Sequence, residues 1–207
     1  MKGGFCYCPD FDDEMEEMFK EAEFLGEGNN GIVYEIPGNK VLKIFKENKV
    51  CEDEKSILLK TQKSKNFPKV YKCGKYYILR EKIEGIRLDD YIERHGMTFQ
   101  LAKTLYRLFK EFKKLKFTKQ DIRCKDLYLI NDTHIRVIDP KKSYTRKVDY
   151  PRHLMKGLRR KGVLDEFLGY IEVIDRKRSR EWYLKFLKKI KFVKMKNRFY
   201  LKHRNQK

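Results

Sequence analysis

Asp121 and Asp126 lie five residues apart in Lys119-Gln120-Asp121-Ile122-Arg123-Cys124-Lys125-Asp126, and Asp139 closes the apolar stretch Ile135-Arg136-Val137-Ile138. Phosphoryl transfer needs a carboxylate beside the attacking hydroxyl and two oxygen ligands that hold Mg²⁺ against nucleotide phosphates. Three carboxylates in this order suit that chemistry. The rest of the chain must then supply a cover for the phosphates, a cation to contact them, and a scaffold.

A cover is present upstream. Gly26-Glu27-Gly28-Asn29-Asn30-Gly31-Ile32-Val33 lies between two strand-like segments and does not open a helix. Gly26, Gly28 and Gly31 would let backbone approach phosphate oxygens, with Val33 on the returning strand. After the turn Pro37-Gly38-Asn39 comes Lys40-Val41-Leu42-Lys43-Ile44-Phe45. Lys43 points away from Leu42 and Ile44 because side chains alternate along a strand. A helix expected from about Val50 to Lys60 offers two carboxylates to Lys43. Glu54 is preferred to Glu52, since Ile57 and Leu58 pack naturally when Glu54 faces the lysine. That pair would hold the ammonium at the α- and β-phosphates. Leu79-Arg80-Glu81-Lys82-Ile83-Glu84-Gly85 reads as an extended connector, with Glu81 and Ile83 offering backbone groups to adenine and Arg80 behind that pocket.

The scaffold follows from periodicity. An acidic helix is expected over Asp10–Ala22, with Met15, Met18 and Phe19 on one side. Strands are expected near Phe24, Ile32–Ile36, Lys40–Phe45, Lys69–Lys72 and Tyr76–Leu79. Beyond Gly85 the period becomes helical: a short turn at Leu88–Ile92, then a long helix capped by Thr98, with Leu101, Leu105, Leu108, Phe109, Phe112 and Leu115 at three- and four-residue steps. A hairpin of Leu127–Ile130 and Ile135–Ile138 follows the aspartate loop. Helices are expected at Asp149–Lys161, Val163–Ile174 and Arg180–Ile190. The expected class is α+β, a small antiparallel sheet followed by a mainly helical part.

Bulk properties narrow the setting. In 207 residues, 41% are hydrophobic and 14% aromatic, a globular composition with no run long enough for a membrane span. Met1-Lys2-Gly3-Gly4 has no apolar signal region and no glycine at position 2 for myristoylation, so a cytoplasmic location is expected. The five cysteines are scattered at Cys6, Cys8, Cys51, Cys73 and Cys124, and free thiols are expected. Net charge is +20, of which residues 141–207 hold 23 basic against 6 acidic side chains. That concentration points to an anionic partner such as RNA, the ribosome or an acidic substrate.

The ordered set of Gly-rich turn, Lys43, Glu54, connector, Asp121, Asp126 and Asp139 resembles the protein-kinase fold over roughly residues 20–160. More closely, it resembles the small bacterial serine/threonine kinase-like proteins of Gram-positive spore formers. The resemblance implies two lobes, at residues 20–85 and 86–190, followed by a basic tail at 191–207. It implies ATP and Mg²⁺ as cofactors. Asp121 would accept the substrate hydroxyl proton, Asp126 and Asp139 would be the metal ligands, and Arg123 would stand for the auxiliary cation two residues past the base. It also makes Asp149 the aspartate that opens the central helix of the second lobe.

The chain departs from that pattern in two places. Lys119-Gln120 replaces His-Arg, and Asp139-Pro140-Lys141 replaces Asp-Phe-Gly. Only ten residues separate Asp139 from Asp149, too few for an ordinary activation segment. The resemblance is therefore to a minimal protein kinase acting on serine or threonine, its own included, similar in economy to RIO-type atypical kinases. Two other classes fit the residues: a nucleotide-binding pseudokinase whose basic part engages RNA or the ribosome, and a small-molecule phosphotransferase. Phe192, Phe199 and Tyr200 among the tail cations would suit stacking on unpaired bases.

Overall fold

Lys40–Phe45 is buried along almost its whole length, and a strand buried on both faces needs a cover on each. The computed structural model, which describes residues 9–131 and 133–204 (191–204 as backbone helix alone), shows both covers. Strands β1 (Glu23–Gly28), β2 (Gly31–Ile36), β3 (Lys40–Phe45), β4 (Val70–Cys73) and β5 (Tyr77–Glu81) form one antiparallel sheet in the order β1-β2-β3-β5-β4. Helix α1 (Asp13–Lys20) covers one face: Met15 packs on Ile36, Leu42, Ile44, Tyr77 and Leu79. Helix α2 (Asn48–Lys60) covers the other with Cys51 and Leu58 against Phe45 and Ile78. The alternation of Leu42 and Ile44 with Lys43 and Phe45 is what splits the strand between the two covers.

Local chemistry fixes the ends of these elements. The Asp12 carboxylate accepts the Met15 N–H at 3.0 Å and caps α1, and Lys72 reaches across to Asp12 and Glu14. Gly31 is demanded by the sheet itself. A Cβ there would stand 1.9 Å from the carbonyl oxygen of Ile44, so only glycine lets β2 lie this close to β3.

A second sheet, β6 (Ile86–Arg87), β7 (Leu127–Asn131) and β8 (His134–Val137), lies beside the helices α3 (Leu88–His95) and α4 (Phe99–Lys114). The Thr98 hydroxyl accepts the Leu101 N–H at 3.1 Å, so α4 starts where its cap residue stands. Leu101, Leu105, Leu108, Phe109 and Phe112 of α4 are buried in a large core with α5 (Arg152–Arg160), α6 (Leu164–Ile174) and α7 (Arg176–Arg204). Trp182 of α7 stacks on Phe167 with ring centroids 6.3 Å apart and meets Phe109 edge-on at 5.6 Å. The α2–β4 loop is clamped to β8: Asn66 donates its amide to the Ile135 carbonyl at 2.7 Å and accepts the Val137 N–H at 2.8 Å. Phe67 from the same loop enters the large core beside Phe112 and Phe117.

The α+β class is as expected. Three boundaries differ. Helix α5 begins at Arg152 and not Asp149, because Pro151 forces the residue before it out of helical geometry. Helix α7 begins at Arg176, where the Asp175 carboxylate accepts the Arg178 N–H at 2.9 Å, and it continues unbroken to Arg204. The two-residue strand β6 was not anticipated at all. Among the described residues no helix is long and apolar enough to cross a membrane. Cys51, Cys73 and Cys124 are free thiols; Cys6 and Cys8 lie outside the described residues.

Trp182 ties α4, α6 and α7 together, so Trp182→Ala should cost about 3–5 kcal/mol in a urea unfolding series. Its exposed neighbour Tyr183 should stay within about 0.5 kcal/mol when changed to Ala.

Candidate functional site

Lys43 and Glu54 meet as expected. The ammonium lies 2.6 Å from Glu54 Oε2, with both side chains buried, and it also sits over the Phe45 ring at 4.6 Å. Glu52, the rival carboxylate, instead pairs with Lys55 one turn along the exposed side of α2. Burial pushes the Glu54 carboxyl above its ordinary range; Lys43 opposes that shift and the charge of Asp139 adds to it. Arg80 is buried in the same place. Burial lowers its pKa, and Glu54 and Asp139 pull it back up. Two cations from the large sheet thus face two carboxylates, one from α2 and one from the segment after β8.

The two expected metal ligands are also brought together. After Arg123 the chain makes a single 3₁₀ turn, Cys124–Asp126, and the Ile138 N–H donates to the Asp126 carbonyl at 3.1 Å. That bond places Asp126 beside Asp139. Arg123 grips Asp126 with both arms of its guanidinium, at 2.6 and 3.1 Å, and reaches Asp139 at 3.8 Å. Lys141 holds Asp139 Oδ2 at 2.6 Å. Burial raises the Asp126 pKa, Arg123 opposes this, and Asp139 reinforces it.

Two carboxylate oxygens here are buried without a hydrogen-bond partner among the described residues: Glu54 Oε1 and Asp139 Oδ1. Orphaned buried acceptors are costly, and a cation or a donor-bearing ligand relieves them. Among the described residues no three His, Cys, Asp or Glu side chains cluster as a closed metal cage. The arrangement fits Mg²⁺ in its usual mode, in which one or two carboxylates share the ion with waters and substrate phosphates.

Asp121 departs from expectation in its surroundings. Its side chain is fully buried, and both oxygens are taken by His153: Oδ1 by the backbone N–H at 2.7 Å and Oδ2 by Nδ1 at 2.5 Å. The aspartate that opens the helix after the loop is therefore Asp121. Asp149, expected in that role, is exposed and pairs with Lys185 of α7 at 2.5 Å. The segment after Asp139 folds back along this loop: Gln120 N–H donates to the Val148 carbonyl at 2.6 Å, and Lys119 bonds the Ser143 and Lys141 carbonyls. His153 lies 32 residues from Asp121 in sequence, and nothing local in the chain marks it.

The Gly-rich turn divides by glycine. A Cβ at Gly26 or Gly28 would meet nothing within 4 Å, so both leave open space, whereas Gly31 is fixed by β3. Val33 pairs with Lys43 across β2 and β3. In the connector, Glu81 is still part of β5, and its N–H is spent on the Lys69 carbonyl at 2.8 Å. Its carboxylate holds Arg136 of β8 at 2.5 and 3.2 Å. Ile83 lies half-buried between β5 and β6. The tail side chains beyond Ile190 lie outside those described.

No protein-family model matches the chain, and a search of curated proteins found no match.

Burial pushes Glu81 up, but the Arg136 and Lys69 bonds outweigh it and hold the carboxyl below its ordinary 4.5. A carboxyl whose folded pKa is depressed contributes stability above its unfolded pKa and loses it as pH falls through the folded one. Glu81→Gln should therefore cost about 1–3 kcal/mol at pH 7, and the gap from wild type should close as melting is repeated below pH 4.5. Asp121→Ala, which strands the His153 N–H, should lower stability by about 1–3 kcal/mol. Asp121→Asn keeps an acceptor and should cost clearly less in the same denaturant titration.

Proposed function

We propose that the chain is a minimal, two-lobed protein kinase, with residues 20–85 and 86–190 as its lobes, that transfers the γ-phosphoryl group of ATP to serine or threonine hydroxyls. The observation that carries this reading is the buried pair of Lys43 and Glu54 facing Asp139, whose Oδ1 has no partner among the described residues. A buried ion pair is weak evidence of stabilisation, because desolvating two charges offsets most of their attraction. It is better explained by a ligand that needs a fixed ammonium.

In this reading the open turn at Gly26 and Gly28 admits the phosphates, and Lys43, held by Glu54, contacts them. Asp126 and Asp139 would hold Mg²⁺, which when bound neutralises charge on the phosphate oxygens. Arg123 is free to meet the transferred phosphoryl oxygens once Asp126 and Asp139 are neutralised by that cation. The substrate hydroxyl oxygen attacks the γ-phosphorus, the bond to the bridging oxygen breaks, and ADP leaves. The hydroxyl proton goes to Asp121. Of Asp121's two bonds to His153, the one to the imidazole is the one that can open: that ring is 37% exposed, while the backbone N–H is fixed in α5.

The second reading is a nucleotide-binding protein without transfer. The full engagement of Asp121 by His153 favours it, because a base with both oxygens bonded is not poised for a proton.

Incubation with γ-labelled ATP and Mg²⁺ separates these readings when nucleotide binding is measured alongside. Wild type should label itself or a generic protein, Asp139→Asn should lose at least 100-fold of that transfer, and Lys43→Met should weaken nucleotide binding. Binding without transfer in wild type would favour the second reading. Absence of nucleotide binding would overturn both.

A further inference from the structure

Five cations lie together on a surface outside the cleft of Lys43, Glu54 and Asp139. Helices α5 and α7 leave between them an open groove of about 500 Å³, within the range of ligand sites. Arg152, Lys156, Arg159 and Arg160 line one wall, and Lys189 lies on the other. Phe186 and Ile190 form an apolar floor. His153 opens into the same groove, so its imidazole joins this surface to Asp121.

The cations of α5 are crowded without compensation. No acidic residue occurs between Asp149 and Asp165, and Asp149 is already on Lys185. Among the described residues, none of the four α5 cations forms an ion pair. Arg159 and Arg160 suit the negative C-terminal end of their helix, but Arg152 stands at the positive N-terminal end, where a cation is unfavourable. Asp121 meets that end through His153, but it is buried behind the helix and takes none of the groove's cations. An arrangement of this kind is relieved by an anion in the groove.

We propose that this groove binds a single-stranded nucleic acid, with its phosphates on the α5 cations and a base or sugar face against Phe186 and Ile190. Arginine forks match phosphate oxygens bidentately, and an apolar floor between cations suits sequence-tolerant binding of unpaired strands. In sequence, no acidic residue occurs from Trp182 to Arg204 of α7. Five groove cations with no carboxylate among them match a polymer charged at every unit better than an acidic peptide with scattered carboxylates. The site is independent of phosphoryl transfer and needs no nucleotide in the cleft.

Fluorescence anisotropy of a labelled 20-nucleotide polyuridine, titrated with the full chain at 50 to 300 mM KCl without ATP or Mg²⁺, tests the proposal. Wild type should bind, and binding should weaken steeply with salt. Lys156→Gln/Arg159→Gln/Arg160→Gln should weaken binding at least tenfold at 100 mM and make the log–log salt slope shallower by about two, at roughly 0.7 per phosphate contact. Lys49→Gln/Lys63→Gln/Lys65→Gln removes the same charge from exposed positions outside the groove and should change affinity less than threefold. All six positions are exposed, so unchanged thermal melting should accompany both variants. Equal losses in the two triples, no binding by wild type, or displacement of the RNA by polyglutamate at equal charge concentration would each overturn the proposal.

Discussion

The ion pair of Lys43 with Glu54 is the constraint around which the first half of the molecule is arranged. Burying an ammonium and a carboxylate together is tolerable only when both are fixed, and here one is fixed by the sheet and the other by the helix that covers it. Lys43 is held by β3 between β2 and β5, and Glu54 by α2 through Cys51 and Leu58. Residues Asn66 and Phe67, just beyond α2, then lock onto β8 and the helical core. The position of Glu54 is thereby transmitted to Asp139 at the end of β8. Burial raises the Glu54 carboxyl, Lys43 opposes this, and the charge of Asp139 adds to it.

That closeness explains the second layer of charge. Asp126 and Asp139 are brought side by side by one backbone bond, and two adjacent carboxylates repel each other unless cations intervene. Arg123 and Lys141 intervene from the same loop and the same turn. Lys141, one of the departures noted in the sequence, thus supplies a counter-charge to Asp139. These cations leave one oxygen of the pair, Asp139 Oδ1, buried without a partner among the described residues.

Much of the scaffold was legible because burial imposes a period on the chain. The alternation of Lys40–Phe45 and the steps from Leu101 to Phe112 are such signals, and helical spacing was enough to choose Glu54 over Glu52. What escaped had no period. The strand β6 is two exposed residues long, held only by pairing with β7. The start of α7 depends on an Asp175 cap four residues ahead of its first buried residue, Ser179. The helix-opening role expected of Asp149 falls to Asp121 because spacing counts residues along the chain, whereas the helix start is set by Pro151 and by what reaches its first N–H groups.

The contact between Asp121 and His153 is where these threads meet. A buried carboxylate with two good hydrogen bonds is stable where it is, and both Asp121 oxygens stay engaged while the imidazole keeps its bond. The same imidazole faces the basic groove between α5 and α7, next to Arg152 at 3.3 Å from its Nε2. Helix α5 thus begins at the carboxylate and continues as the wall of the groove. The two surfaces are joined by a single rigid helix and one ring.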